Sequence, residues 1–527
     1  SFSLYIRYFC VIMWLEYFSN LEVFMFIAYD VKNGKEYGKL VTSIRNGTKI
    51  SKTYLNLGLV IDKDKHIFKN RVRGVFVYDP ENNIYSSPDP SFILPSKADK
   101  SEQRELIVDF GDVYFLSKFM EQDGILQSLN AIDYCNHDTL YAMICYYILC
   151  STSNSHAEDW FDGSYVRIIY PRANLVSQRI SEFLAKIGNE SSLRSFFKEY
   201  LSYVSSKVTT FDNILIDSTG LPNSVHFPLT AISNHNGEIS NELRLIYVTH
   251  QETGLPIYFR YVAGNIVDVT TLIRTIAELK NSGLNTKFAI MDAGYYSENN
   301  ARVLFSEKVS FISRLKENLT LCKNLIAEHL STLETAENLV EYNGRYVYIK
   351  CVPCTLVDDK NGYAYICRDI ERKNSETSKL FRRAKDQGLD TNEIYNRMST
   401  QGMFVLASSR RIAKDKILPT YYTRQQIEQI FDIGKNYASL TPICIRTEET
   451  LRGHLLLTFI ASVIVKRIQN KLLETAYNPI SMFMNLRNHK CKVYKDCVIT
   501  QEPNKKANDC YKLFGIDCPV TIPIQCG

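Results

Sequence analysis

Hydrophobic and polar positions divide this chain into stretches of different period. After Met25, KEYGKLVTSIRNGTKISKTYLNLG alternates as a half-buried strand does, and Asn46-Gly47 between its two runs is a favoured two-residue hairpin turn. A Ser- and Pro-rich stretch from about Ser86 to Ser101 reads as a linker. From about Gly111 to Lys207 the apolar residues recur at helical spacing, chiefly in LSKFMEQDGILQSL, LYAMICYYIL and VSQRISEFLAKIG. Beyond Lys207 the pattern switches to short apolar runs that read as buried strands, NILID, KFAIMD and VSFISRL, with a helix expected over 268–281 and another before VSFISRL. RYVYIKCVP and GYAYICRDI alternate like strands, and LLLTFIASVIV near Gly453 reads as a core helix, too short to span a bilayer. This order predicts an α/β protein with a mixed sheet flanked by helices.

Composition narrows the class. A chain of 527 residues with 45% hydrophobic and 23% charged residues reads as a globular protein of more than one domain. Basic residues exceed acidic ones by five, an excess that permits DNA binding without demonstrating it. Lys35, Lys39, Arg45, Lys49 and Lys52 line the hairpin and read first as a solvated face. The 14 cysteines are scattered, as in a chain that keeps its thiols reduced. Cys351 and Cys354 form a CxxC with Cys367 farther on, but no second pair stands at zinc-finger spacing, and His489, Cys491, Cys497, Cys510 and Cys518 are irregularly spaced. The first two dozen residues carry Arg7, Glu16 and Glu22, which leaves no apolar run long enough for a membrane anchor. They read as upstream translation or an extension.

The candidate chemistry lies in YYTRQQIEQIFDIGK, where Tyr421, Arg424, Glu428 and Lys435 are separated by two, three and six residues. At about 100° per residue, the four side chains fall within a stripe roughly 60° wide, while Ile427, Ile430 and Phe431 face elsewhere and can pack inward. Arg424 and Glu428 are also an ordinary i,i+4 pair, although Arg before Glu is its less favourable order. A start at Thr423, with Gln426 completing a capping box, would leave Tyr421 just outside the helix. Two aspartates add to this picture. Asp217 ends the run NILID, Asp292 ends KFAIMD, and each is followed by a Gly-containing turn, so each reads as a carboxylate at a strand tip or as an Asx turn or helix cap.

Taken in order, Asp217, Asp292 and Glu428 inside Tyr-x2-Arg-x3-Glu-x6-Lys resemble the DDE transposases of bacterial and archaeal insertion sequences, and the four-residue signature is that of the insertion-sequence-four family. GLPIYFRYVAGNIVDVTTL, DAGYYSENNARVLF, GMFVLASS and RGHLLLTFIA resemble the family too. The resemblance implies a ribonuclease-H-like core interrupted by a β-rich insertion and preceded by a helical DNA-binding domain. The divisions that follow are an extension over 1–24, the hairpin and linker over 25–100, the helical domain over 101–207, the core over 208–316 and 402–475, the insertion over 317–401 and a tail over 476–527. It further implies two Mg²⁺ ions per active site, replaceable by Mn²⁺, with Asp217 bridging both and Asp292 and Glu428 each completing one. Asp and Glu oxygens suit such a hard cation. Tyr421, Arg424 and Lys435 would hold the DNA backbone, Arg424 as a bidentate clamp and Lys435 as a point charge.

The implied reaction is metal-dependent cleavage at the inverted-repeat ends of double-stranded DNA, followed by attack of the freed 3′ hydroxyl on target DNA. The implied setting is a cytoplasmic, DNA-associated protein of a prokaryote, a homodimer on paired ends, with no membrane partner. Arg167, Arg172, Gln178 and Arg179 are candidate contacts to those ends. Relatives stack a flipped base on an aromatic of the insertion; with Trp only at 14 and 160, that leaves Tyr or Phe. Two other readings stand beside this one, a nuclease of the same fold that does not join strands and a domesticated DNA-binding protein without catalysis.

Overall fold

The computed structural model describes residues 21–32, 35–46, 49–88, 106–150, 152–223, 225, 227–235, 238–387, 391–436, 440–441, 443 and 445–524. Two units emerge from contacts within the chain, Ser1–Glu105 and Leu106–Gly527.

In the first unit, alternation builds an antiparallel sheet in sequence order: β1 (Leu21–Lys32), β2 (Lys35–Asn46), β3 (Lys49–Asp62), β4 (Ile67–Asn70), β5 (Gly74–Asp79) and β6 (Ile84–Ser86). Leu40, Leu57, Phe68, Phe76 and Tyr78 form its small core. The β2–β3 register closes at Asn46↔Lys49, as a two-residue link requires, and the link itself lies outside the described residues. Of the basic residues on this hairpin, Lys35, Arg45 and Lys52 are exposed, and Lys39 pairs with Asp30. The expected boundary at residue 24 falls inside a strand, because 21–24 pair with the end of β2. Residues 1–20 and most of the expected linker lie outside the described residues.

The second unit is organised on one mixed sheet. Its strands are β8 (Asn213–Pro222), β9 (Ala231–His235), β10 (Glu238–His250), β11 (Pro256–Ala263), β12 (Phe288–Met291), β13 (Ser310–Arg314), β14 (Leu339–Tyr342), β15 (Arg345–Val357), β16 (Lys360–Asp369) and β17 (Met403–Ser408). They run in the order β11-β10-β8-β12-β13-β17-β16-β15-β14, with β9 on β10. β8, β12 and β13 are mutually parallel and the remaining pairs antiparallel. All six residues of β17 are buried, so it sits inside the sheet between β13 and β16 and joins the strands of 339–369 to the same ladder. Helices Ile370–Gln387 and Thr391–Met398 complete that segment. Cys351 and Cys354 both lie on β15, where an offset of three sends side chains to opposite faces.

Side chains of β8 alternate between two cores. Leu215 joins Phe431 and Phe459 on one face, while Ile214 and Ile216 join Leu272, Ile276 and Leu304 on the other. The first face is covered by the long helix Glu448–Leu472, buried almost throughout its LLLTFIASVIV stretch, and the second by helices Asp268–Asn281 and Glu298–Ser306. The 111–207 region supplies Gly111–Asp123, Leu126–Asn130, His137–Leu149, Ala157–Gly163, Val166–Ile169, Ser177–Ile187 and Glu190–Lys207. Several of these pack on the long helix: Phe196 and Tyr200 meet Phe459 edge-on, and a Cβ on Gly453 would stand 1.9 Å from the Leu184 carbonyl oxygen. The tail returns to the start of this unit, where β18 (Lys490–Val493), paired with β19 (Cys497–Thr500), also pairs with β7 (Leu106–Asp109). Among the described residues, no helix is long and apolar enough to cross a membrane.

Candidate active site

Strand register brings the two aspartates together. β12 is parallel to β8, and its last residue, Met291, stands opposite Ile216. The next residue on each strand is therefore an acid, Asp292 beside Asp217. Asp217 was expected at a strand tip, but β8 runs on to Pro222 because Ser218–Pro222 stay paired with β10, and Leu221 is buried. The strand that stops is β12. Asp217 thus occupies the edge left bare beyond its neighbour's end, and Asp292 sits where the chain leaves the sheet.

Glu428 comes from the helix Gln425–Asn436, which crosses the same face. Ile427, Ile430 and Phe431 are buried beneath it, and the Phe431 ring stacks on Tyr247 of β10 at 5.4 Å and 8°. The helix starts two residues later than its capping-box pattern predicts. Thr423 sends its hydroxyl back to the Thr420 carbonyl at 2.7 Å, so it closes the preceding helix, Lys414–Tyr422, rather than capping the next. Tyr421 belongs to that earlier helix, and Arg424 lies in the turn between the two. The four residues form one cluster across a helix–turn–helix junction instead of a stripe on a continuous helix.

All three acids meet at Arg424. One guanidinium nitrogen donates to Asp217 Oδ2 at 2.7 Å, and the other lies 3.0 Å from Glu428 Oε1 and 3.8 Å from Asp292 Oδ1. Asp217 also accepts the Ser218 N–H at 2.8 Å, and Tyr421 donates its hydroxyl to Asp292 Oδ1 at 3.3 Å. Lys435 donates to Thr219 Oγ1 at 2.7 Å. Exposure grades across the cluster, with 13% of the Asp217 side chain, 41% of Asp292 and 51% of Glu428 open to solvent. Burial pushes the Asp217 carboxyl up to about 7, against the pull of Arg424. Burial acts to lower Arg424, but the carboxylates of Asp217 and Asp292 more than offset it and hold the guanidinium above its ordinary value. Burial likewise raises the Tyr421 phenol, which stays protonated and able to donate.

The donor set suits a hard divalent cation: oxygens only, three carboxylates, and already gathered on one cationic group. As arranged, the guanidinium stands between them, and among the described residues no group of three or more His, Cys, Asp or Glu side chains is placed to hold an ion. For these acids to hold one, Arg424 would have to turn aside.

Residues 211–464 match the family model described as a transposase DDE domain. The chain carries a DDE-type transposase domain. That domain spans all three acids, and DDE transposases generally use divalent metal ions. No curated protein matches the chain in sequence. Among solved structures it is similar to a piggyBac transposase synaptic complex with hairpin DNA, at 14% identity and a TM-score of 0.39, covering 72% of this chain and 79% of that one.

Within the DDE domain, Thr219 and Ser218 escaped the motif-based reading. The period of two along β8 puts Thr219 on the face of Asp217 and could have identified it; nothing in the sequence marks Ser218. The candidate DNA contacts of the 111–207 region have neighbours of their own: Arg167 donates to the Asp162 carbonyl at 3.0 Å, Arg172 lies 3.4 Å from Asp138 and Arg179 2.7 Å from Glu182, while Gln178 is exposed.

Proposed function

We propose that this protein is a transposase akin to the insertion-sequence-four family, which cuts DNA at inverted-repeat ends and joins the freed 3′ ends to target DNA. The observation that carries the proposal is the meeting of Asp217, Asp292 and Glu428, far apart in sequence, on the single guanidinium of Arg424. The order β11-β10-β8-β12-β13, antiparallel from β11 through β10 to β8 and parallel from β8 through β12 to β13, supports a ribonuclease-H-like core.

Asp217, Asp292 and Glu428 would hold two Mg²⁺ ions, or Mn²⁺ in their place, which when bound supply activation of the attacking oxygen and stabilisation of the leaving one. The rest falls to the chain's own side chains. The Ser218 N–H orients the Asp217 carboxylate, and the Tyr421 hydroxyl does the same for Asp292. Once turned from the acids, Arg424 clamps a phosphate with two parallel N–H bonds, and Lys435 neutralises the backbone beside it. A water held in line cleaves the strand first, and the resulting 3′ hydroxyl attacks target DNA from the same position. The partners are double-stranded transposon ends and target DNA, with a second protomer on the paired end. Tyr346, Phe381 and Tyr395, each at least half exposed, are the rings of 317–401 available to a flipped base.

Glu428→Gln tests this directly. It should abolish cleavage while leaving binding to end DNA within a factor of two, measured by gel shift; loss of DNA binding as well would assign Glu428 a structural role. A precut transposon end offered to the wild-type protein should become joined to target DNA, and hydrolysis without joining would make the protein a nuclease.

A further inference from the structure

We propose that Asp268 and Arg244 are positioning residues that set the gap between Asp217 and Asp292, an inference that rests on reading those two acids as metal ligands. The ladder between β8 and β12 ends at Met291↔Ile216, one residue before the acids, so backbone pairing brings them level but does not fix their separation. Asp268 does. It opens the helix Asp268–Asn281, and its side chain turns toward the sheet. Its Oδ1 accepts the Ser218 hydroxyl at 2.6 Å and an Arg244 N–H at 2.9 Å. Ser218 follows Asp217 and gives that carboxylate its backbone N–H.

On its other side the same carboxylate faces the turn after Asp292. A Cβ on Gly294 would come within 2.9 Å of Asp268 Oδ2, so glycine there admits the close approach. One carboxylate therefore touches the residue after one acid and the residue two beyond the other. Arg244 locks this bridge. It stands on β10 opposite Gly220, its side chain is 9% exposed, and its second terminal nitrogen is 4.0 Å from the buried Glu242. With Oδ1 shared by two donors, Asp268 acts through its neighbours rather than as a further ligand.

The test is Mn²⁺ binding to the full-length protein without DNA, followed by electron paramagnetic resonance, beside thermal melting and a gel shift with end DNA. Asp268→Asn keeps the shape and removes the charge. It should weaken Mn²⁺ binding by about tenfold, as loss of outer-shell partners does, with DNA binding near wild type, a lower melting temperature because buried Arg244 loses its partner, and cleavage partly restored by raising Mn²⁺. Arg244→Lys should fall between Asp268→Asn and wild type. If Asp268→Asn fails to fold, Gly294→Ala asks the same question from the opposite side, and a folded Gly294→Ala protein should bind Mn²⁺ less tightly. Wild-type Mn²⁺ affinity in folded Asp268→Asn, or in Gly294→Ala where the first does not fold, overturns the proposal. Asp292→Asn separates the two levels of the argument: if it too binds Mn²⁺ as wild type does, the ligand assignment itself is wrong.

Discussion

Arg424 governs the electrostatics of the acid cluster. Burial lifts the Asp217 carboxyl to about 7 and Arg424 opposes that lift, so replacing Arg424 with Gln should raise Asp217 further. A metal ligand must be ionised. On the proposed reading, Mn²⁺ binding to the metal-free protein therefore weakens as pH falls through about 7, and in Arg424→Gln this weakening should begin at higher pH, read from Mn²⁺ titrations at a series of pH values. A pH dependence of Mn²⁺ binding left unmoved in Arg424→Gln would mean that Arg424 serves the DNA alone. A second titration belongs to His454, held to about 4 by burial, with Nδ1 2.8 Å from the Tyr147 hydroxyl and Nε2 3.3 Å from the Leu440 carbonyl. The folded value is depressed, so the unfolded chain takes up the proton first and stability drains away as pH falls from 6.5 toward 4. At about 1.4 kcal/mol per unit, the loss is of the order of 3 kcal/mol, and His454→Gln should flatten that part of a stability–pH curve measured by urea unfolding.

Among the elements, helix Ser177–Ile187 and the long helix Glu448–Leu472 pack backbone against backbone. A glycine stands on each side, Gly453 within the long helix and Gly188 just past the end of the other: a Cβ on Gly453 would meet the Leu184 carbonyl at 1.9 Å, and one on Gly188 would meet the Glu449 carbonyl at 1.9 Å. Backbone cannot yield as a flexible side chain does. Gly453→Ala should cost about 1–3 kcal/mol as an overpacked site does, seen as a lower melting temperature, whereas Gly163→Ala, with nothing near its Cβ position, serves as the control. Elements were more legible in the sequence than their ends. The helix over Asp268–Asn281 has the bounds its apolar period predicts, because one buried face specifies it from end to end. Asp217 inside β8 and the break at Thr423-Arg424 were not legible, since each depends on a partner that sequence does not display: β10 for the one, the Thr420 carbonyl for the other.

For the whole molecule, alternation over 35–60 and helical spacing over 111–207 disclosed which segments differ in kind, but not the strand order, which is set by pairings between distant segments. The acids themselves were readable because each follows an apolar run or sits in a fixed spacing; their meeting on one guanidinium was not. Ser1–Glu105 has its own core of Leu40, Leu57, Phe68, Phe76 and Tyr78, separate from those of Leu106–Gly527. Two separately cored units imply two cooperative transitions, and calorimetry should resolve them, the smaller vanishing when Phe68 is replaced by Ala; one unchanged transition would mean that the units unfold together.

The three acids are mounted differently. Asp217 and Asp292 grow out of neighbouring strands in a hydrogen-bonded ladder, whereas Glu428 rides on a helix tied to the sheet by ring stacking and side-chain bonds, entered through a turn. Withdrawing that helix would take Glu428 from the other two acids while the sheet stayed intact. For a transposase of the proposed kind, whose cutting would have to wait until its ends are paired, the mounting of the third acid offers a place for a safety catch.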